Sequence, residues 1–256
     1  MPRALPTISV VIPTLREAER IGDLLHALQA QTFNIEYSKP EIIVVDGASE
    51  DETQDIVRTF PDVELIVGER GTSRQRNLGA QKATGELVIW MDADCLPDAQ
   101  FLSRVARSYQ RFPFAVACPW FVAHESLAIR GAYIWFNVLF FLGQSWLRTG
   151  SGVCLLAPRE VWEKCGGFDE SSHLGEDVQF IRRAARFGIH RHLLIPLQTS
   201  GRRFQEKGVW QLLWFYARIS PSILLGRYHK LRDVKYEAAP YGKSANRVLD
   251  APEKRE

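Results

Sequence analysis

The sequence predicts an α/β protein built on a mostly parallel sheet in three layers. Two observations carry this. Four short apolar runs, at 8–12, 42–45, 63–67 and 87–91, alternate with stretches of helical periodicity, as strand–helix–strand crossovers require. The fourth run holds no polar residue and then ends in Asp92-Ala93-Asp94, as a strand buried on both faces does where its carboxyl end opens on a ligand crevice.

After the first strand, Pro13-Thr14 opens a turn, and Ile21, Leu24, Leu25 and Leu28 recur at helical spacing among charged residues. The second strand ends in Asp46-Gly47-Ala48-Ser49-Glu50-Asp51, before a helix carrying Ile56 and Val57. Gly71 follows the third strand and precedes a helix through Arg76 and Ala80; Thr84-Gly85 then leads into the fourth. Residues 99–112 are expected to be helical and 115–120 extended. Residues 131–147 carry no charge and lie between Arg130 and Arg148; seventeen is the short end of a membrane span, and Asn137, Gln144 and Ser145 favour a buried or interfacial helix. Strand character returns at 152–157, helix at 159–165, a turn at Gly166-Gly167-Phe168, and a helix after Gly175-Glu176-Asp177 with Val178, Ile181, Ala184 and Ala185 on its apolar side. Residues 208–225 read as aromatic and partly helical, broken near Pro221, and the polar tail after Tyr241 as mobile.

Composition narrows the class. With 46% hydrophobic and 24% charged residues over 256 positions, the chain can bury a full core and is neither disordered nor a polytopic membrane protein. The net charge of +2 hides a basic segment from Arg202 to Lys235, with eight Lys or Arg against Glu206 and Asp233. Such a segment meets phosphate, an anionic membrane surface or nucleic acid, or, as most charge clusters are, is a solvated face. Cys95, Cys118, Cys154 and Cys165 have no metal-ligand spacing and suit a reducing compartment. No export leader precedes the first strand, so a cytoplasmic protein is expected.

Asp92 and Asp94 alternate along an extended segment and can face one target; as hard oxygen ligands they suit a divalent cation that carries a phosphate. Taken alone, Asp-Ala-Asp equally fits a turn with an acid at each corner. The order Pro13-Thr14, then Asp46 with Ser49 and Asp51, Arg74 to Gly79, Asp92 with Asp94, Gly-Gly-Phe-Asp-Glu and Gly-Glu-Asp resembles the family 2 inverting glycosyltransferases of the GT-A fold. The likeness extends over about 7–205. It is closest to small, single-domain bacterial-type members that end in Ser-x-Arg-Arg-aromatic, here Ser200-Gly201-Arg202-Arg203-Phe204.

That resemblance implies a non-processive hexosyltransferase that moves a sugar from a nucleoside-diphosphate donor, UDP-linked by expectation, to a hydroxyl of a sugar or lipid-linked acceptor in cell-envelope polysaccharide or glycolipid synthesis. It implies that Thr14 and Glu17 hold base and ribose, that Asp46 accepts from the uracil imide, and that Arg76 lies near the nucleotide. Asp92 would contact ribose or donor sugar, and Asp94, with Asp92, would hold Mg²⁺ or Mn²⁺. Asp177 would be the general base and Arg202 and Arg203 would bind pyrophosphate. Plainer roles stand beside these: Thr14 and Glu17 as helix caps, Asp177 as a charge that suits a helix dipole, and the two arginines as a surface pair. Gly47 stands where the family often has a second acid, and the Gln-x-x-Arg-Trp of processive synthases is absent.

A catalytic domain over 1–205 is expected, with its nucleotide half at 7–95 and its acceptor half at 96–205, followed by aromatic and basic helices and a tail over 206–256. The rival readings are a nucleotidyltransferase of related fold, for which 14–17 lacks a glycine- and lysine-rich loop, and a catalytically silent nucleotide-sugar or membrane-binding module. No nucleic-acid partner is expected. The aromatic segments 131–147 and 209–225, flanked by Arg130, Arg148, Arg218, Arg227, Lys230 and Arg232, have the composition of helices that lie in a membrane interface.

Overall fold

The computed structural model describes residues 4–32, 39–172 and 174–228; Lys230, Arg232 and the tail after Tyr241 lie outside them. The first half is built as the apolar runs dictate. Strand β1 (Ile8–Thr14), helix α1 (Ile21–Gln29), β2 (Glu41–Asp46), α2 (Thr53–Arg58), β3 (Val63–Val67), α3 (Thr72–Lys82) and β4 (Leu87–Met91) follow in order. All three pairings here, β3 with β2, β2 with β1, and β1 with β4, are parallel. Every residue of β4 is buried, and α1 turns Ile21, Leu24, Leu25 and Leu28 into the same core. Helix α3 lies close on β1: a Cβ at Gly79 would stand 2.3 Å from Val11 Cγ1, so only glycine admits this approach.

The second half is β5 (Cys95–Leu96), α4 (Phe101–Arg111), β6 (Val116–Val122), α5 (Leu127–Gly143), β7 (Cys154–Pro158), α6 (Arg159–Cys165), α7 (Glu176–Ala184), β8 (His190–Thr199), α8 (Arg202–Lys207) and α9 (Val209–Leu224). Together the described strands form an eight-stranded sheet in the order β3-β2-β1-β4-β7-β6-β8-β5. Strand β7 enters antiparallel between β4 and β6, whereas β6 and β8 pair in parallel. Because β7 is reversed, the segment leading into it meets the turn leaving β4: Asp92 N donates to Val153 O at 2.9 Å.

Three features differ from the sequence expectation. The ten-residue β8 has no strand signature, since His190, Arg191, His192, Pro196 and Gln198 interrupt its apolar positions. Helix α5 begins at Leu127, capped by Ser126, whose hydroxyl accepts from Ile129 N. Pro221 does not break α9. It lies inside the last turn, where the lost N–H removes one bond and the helix closes through Leu225 N to Pro221 O.

Helix α5 docks on β6 and β8 through polar groups. Asn137 Nδ2 donates to Phe121 O at 2.6 Å and its Oδ1 accepts from Phe121 N at 3.0 Å. With the amide so oriented, His192 must donate to Oδ1 through Nε2. His190 Nδ1 meets Gln144 O, and His192 N donates to Gln144 Oε1. Burial pushes both histidines down to about 4, so each ring is neutral at pH 7 and suited to this dry contact.

Candidate active site

The site forms where β1, β2 and β4 end and the approach to β7 begins. Beyond β4 the chain turns at once: Cys95 N donates to Asp92 O at 3.1 Å, Ala93 is buried, and Asp92 and Asp94 stand half-exposed on either side of it. The turn and the paired presentation of carboxylates are thus one geometry. Burial pushes Asp92 up to about 6 against the pull of Arg76, and the Asp94 charge adds to the rise. Its side chain retains 36% of its surface, so the desolvation is that of a cleft wall. Burial likewise raises Asp94, opposed by the charges of Arg202, Arg203 and Arg20. Arg202, Arg203 and Arg20 thus bring positive charge to Asp94, and Arg203 acts on Asp92 as well. Beside Asp94 a cleft of about 340 Å³ is lined by Arg20, Asp23, Glu125, Thr199 and Ser200.

Two like-charged oxygen donors on one turn fit a hard divalent cation, because the Asp94 charge raises the cost of ionising Asp92 and a cation would relieve it. Among the described residues no third acid, histidine or cysteine completes a protein cage. A cation here would draw its remaining ligands from water or from phosphate oxygens, as Mg²⁺ commonly does.

Asp177 lies in the first turn of α7. Its Oδ2 accepts from Gly152 N at 2.8 Å and its Oδ1 from Val178 N at 2.7 Å. Burial, followed by the neighbouring Glu176 charge, pushes it up to about 7.

Arg76 connects the two acidic groups. Its Nη2 donates to Asp92 Oδ1 at 3.2 Å and to Gly152 O at 2.7 Å, and its Nη1 to Glu176 Oε1 at 3.3 Å. The side chain is only 3% exposed, its guanidinium lies over the Phe168 ring, and Trp90 Nε1 donates to its carbonyl. Burial opposes its charge, but Asp92, Glu176 and Asp177 more than restore it and hold it above its ordinary value. The residue expected near the nucleotide is thus an internal strut in this structure.

Its neighbours are equally committed. Gln75 Nε2 donates to Thr14 O and Val45 O, joining the ends of β1 and β2. Asn77 donates to Phe168 O and Glu170 Oε1 and accepts from Phe168 N and Trp162 Nε1, which fixes the Gly-Gly-Phe turn. Arg74 points outward to Glu69 and Glu170.

Thr14 and Asp46 form a separate, closed cluster. Asp46 is 0% exposed and accepts from Thr14 Oγ1, Ser49 N, Ser49 Oγ and Gln54 Nε2. Any base contact at this carboxylate requires Ser49 or Gln54 to turn away. Glu17 N accepts no such role: it donates to Thr53 Oγ1, and the Glu17 carboxylate faces Arg202 Nη2 at 3.8 Å. Arg203 bonds the Tyr216 side chain. In the loops after β1 and β2, Arg16 (φ 58) and Ala48 (φ 55) hold left-handed backbone, which such residues adopt at a cost that clusters at functional sites.

The structure therefore brings Asp94 to the cleft with Arg20 and Glu125, joins Asp92 to Arg76 and, through Gly152, to Asp177, sets Glu17 against Arg202, and keeps Thr14 and Asp46 in a cluster of their own. Sequence reasoning missed Gln75, Asn77, Arg20 and Gly152. The first two lie within the Arg-Gln-Arg-Asn motif and could have been found there; Gly152 carries no local signal. A Cβ at Gly152 would stand 3.1 Å from Asp177 Oδ2 and 3.2 Å from Arg76 Nη2. Gly152→Ala is accordingly expected to lower stability by about 1–3 kcal/mol, the usual cost of overpacking, and to depress activity with it. Thermal melting checks this, and an unchanged melt would show that the contact is slack.

Over residues 9–155 the sequence matches the family described as "Glycosyl transferase family 2". It is 36% identical over 110 residues to the glycosyltransferase AglE of Haloferax volcanii, covering 41% of this chain and 36% of that protein. It is 26% identical over 233 residues to the probable glycosyltransferase YdaM of Bacillus subtilis, covering 83% and 54%. The chain thus spans about half or less of these relatives. Among solved structures, TarS of S. aureus in complex with UDP superposes with a TM-score of 0.62 at 20% identity, over 78% of this chain and 62% of that one. The mannosyltransferase PcManGT of Pyrobaculum calidifontis, in complex with GDP-Man and Mn²⁺, gives 0.61 at 24% identity, over 89% and 70%. At these identities the likeness is one of fold.

Proposed function

The chain belongs to glycosyl transferase family 2, and on that premise we propose that it transfers one sugar from a nucleoside-diphosphate donor to an acceptor hydroxyl with inversion, residues 7–95 serving the nucleotide and 96–205 the acceptor. The observation that carries the reading is the linkage, through Arg76 and Gly152, of the Asp92-Ala93-Asp94 turn, whose Asp94 has three arginines about it, with Asp177, a carboxylate raised to about 7. A diphosphate ester needs the first and an attacking hydroxyl the second.

Asp177 is assigned the base. Its carboxylate takes the proton of the acceptor hydroxyl as that oxygen attacks the anomeric carbon, while the bond from that carbon to the diphosphate oxygen breaks and nucleoside diphosphate leaves. A carboxyl near 7 is matched to this task at neutral pH. Arg202 and Arg203 are assigned to the diphosphate, where fixed positive charge offsets the charge that develops on departure. Asp94 and Asp92 would hold Mg²⁺ or Mn²⁺, which supplies Lewis-acid neutralisation of the diphosphate. Support for a cation comes from the Asp94 charge that helps raise Asp92, and from PcManGT, whose complex contains Mn²⁺.

Uridine is the proposed base, supported by the UDP and UDP-GlcNAc complexes of TarS. With Asp46 as its acceptor, the 47–54 loop would have to release Ser49 or Gln54. A panel of UDP and GDP sugars, assayed for transfer and hydrolysis with and without Mn²⁺, tests donor and cation together; turnover with GDP-mannose alone would overturn the choice of uridine.

Inversion follows from having one base and no second nucleophile assigned. A single displacement on an α-linked donor gives a β-linked product, read from the coupling of the anomeric proton. An α-linked product would overturn it.

A further inference from the structure

Helix α5 bares an apolar side as well as burying one. On a soluble surface helix the polar side faces water, yet here Asn137 is buried while Leu127, Ile134, Trp135, Val138 and Leu142 form the exposed stripe. The orientation is fixed, because Asn137 and Gln144 are held by Phe121 and His192. Rotating the helix to hide Trp135 would leave those backbone groups unpaired. Helix α9 packs beside it, with Phe136 and Tyr216 ring centroids 5.6 Å apart, and repeats the pattern: Trp210 is 84% exposed and Trp214 67%. Three residues past the end of α5, Trp146 is 74% exposed. Single exposed apolar residues are ordinary; a row of them on two adjoining helices marks an interaction surface.

The charge on these segments says what they meet. Residues 126–158 and 207–228 contain no Asp or Glu, whereas Arg130, Arg148, Arg218 and Arg227 are exposed, with Arg218 over the Trp214 ring. A second copy of the chain, meeting this face through a two-fold axis, would set arginine against arginine with no acid from either helix to pair them. An anionic lipid surface satisfies both halves of the pattern, since tryptophan favours the headgroup boundary and arginine the phosphates. No described helix is long and apolar enough to cross a bilayer. The seventeen residues of α5 reach about 26 Å at 1.5 Å each, short of a hydrocarbon core of about 30 Å.

We propose that α5 and α9 dock the protein on an anionic membrane surface, lying in the plane of the headgroups. The docked face adjoins the cleft: α5 begins two residues after Glu125, which lines it, and Tyr133 of α5 donates to Ser200 O, which lines it as well. Membrane docking would therefore hold the cleft mouth against the lipid. The inference goes beyond glycosyl transfer and does not depend on it.

Flotation of the full chain with vesicles tests it without donor or acceptor. Binding is expected to mixed phosphatidylglycerol and phosphatidylcholine vesicles, at least tenfold tighter than to phosphatidylcholine alone, and to weaken at high salt because attraction is screened over about 10 Å at 0.1 M. A Trp135→Ser, Trp214→Ser double variant should bind at least tenfold more weakly, and Arg218→Glu should weaken binding only to the anionic vesicles. Nucleotide binding by the same variants in solution should match wild type, which separates failure of docking from failure of the transferase reading. The proposal is overturned if the protein stays wholly unbound at low salt or binds neutral vesicles equally well. It is overturned too if light scattering shows a dimer that the double variant dissociates while neither protein floats.

Discussion

Asp177→Asn is expected to depress turnover by about 10²–10⁴, the usual contribution of a general base, while leaving nucleotide affinity nearly intact. The pH dependence should change with it. Burial and Glu176 raise the Asp177 carboxyl to about 7, and a base acts in its ionised form, so wild-type kcat/KM should fall as pH falls through about 7 and reach a plateau above. In Asp177→Asn that acidic limb should vanish. Stability runs the other way. A carboxyl whose folded pKa lies above its ordinary value stabilises the fold while protonated, and that contribution is lost as pH rises through about 7. Because asparagine offers only one oxygen to Gly152 N and Val178 N, the variant should melt below the wild type at low pH and narrow that gap as ionisation of Asp177 burdens the wild type. Measuring nucleotide affinity, the kcat/KM profile and thermal melts from about pH 4, near the ordinary carboxylate value, to about pH 8, one unit above the raised pKa, checks all three. Unchanged turnover with collapsed donor affinity would mean that Asp177 binds donor and is no base.

Asp94→Asn should remove at least about a hundredfold of activity, since loss of even a supporting partner of a metal ligand costs about 10–100-fold. Nucleotide affinity in the variant should lose its dependence on added Mg²⁺ or Mn²⁺. The fold should survive, because Asp94 lies half-exposed on a turn beyond β4, outside the apolar core. Titrating nucleotide into wild type and variant, with and without chelator, separates the two effects. Wild-type activity in chelator would defeat the metal assignment outright.

What the sequence made legible was what local pattern can encode. The runs that became β1, β2 and β4 are buried almost end to end, and a run without polar relief has few other places to go. Asp92 and Asp94 could be placed just beyond a buried strand, and Asp177 at the start of a helix, because each stands at the edge of an element with a clear apolar pattern. Direction was not legible. Arg76 and Asp46 stand out in the sequence as candidates, but that both turn inward depends on the partners they meet, Glu176 and Gly152, far along the chain, for one, and Gln54 and Ser49 for the other. Strand β8 was missed because its polar residues are satisfied from another element: His190 and His192 read as surface until α5 supplies Gln144 and Asn137. The same exchange explains α5. An uncharged stretch does not say which side faces inward; the polar partners on β6 and β8 decide it.

The reversal of β7 has a consequence for how such a site can change over time. In a wholly parallel sheet, every segment that enters a strand lies at the end remote from the ligand. Here the segment entering β7 delivers Gly152 to Asp177 and Val153 to Asp92. The wall beside Asp92 and Asp177 is thus the tail of the α5 connection and no part of β1 to β4. Insertions, deletions or exchanges between β6 and β7 would reshape the surroundings of Asp177, while β1 to β4 keep their register. On the proposed function, a lineage could revise its acceptor and leave its donor alone.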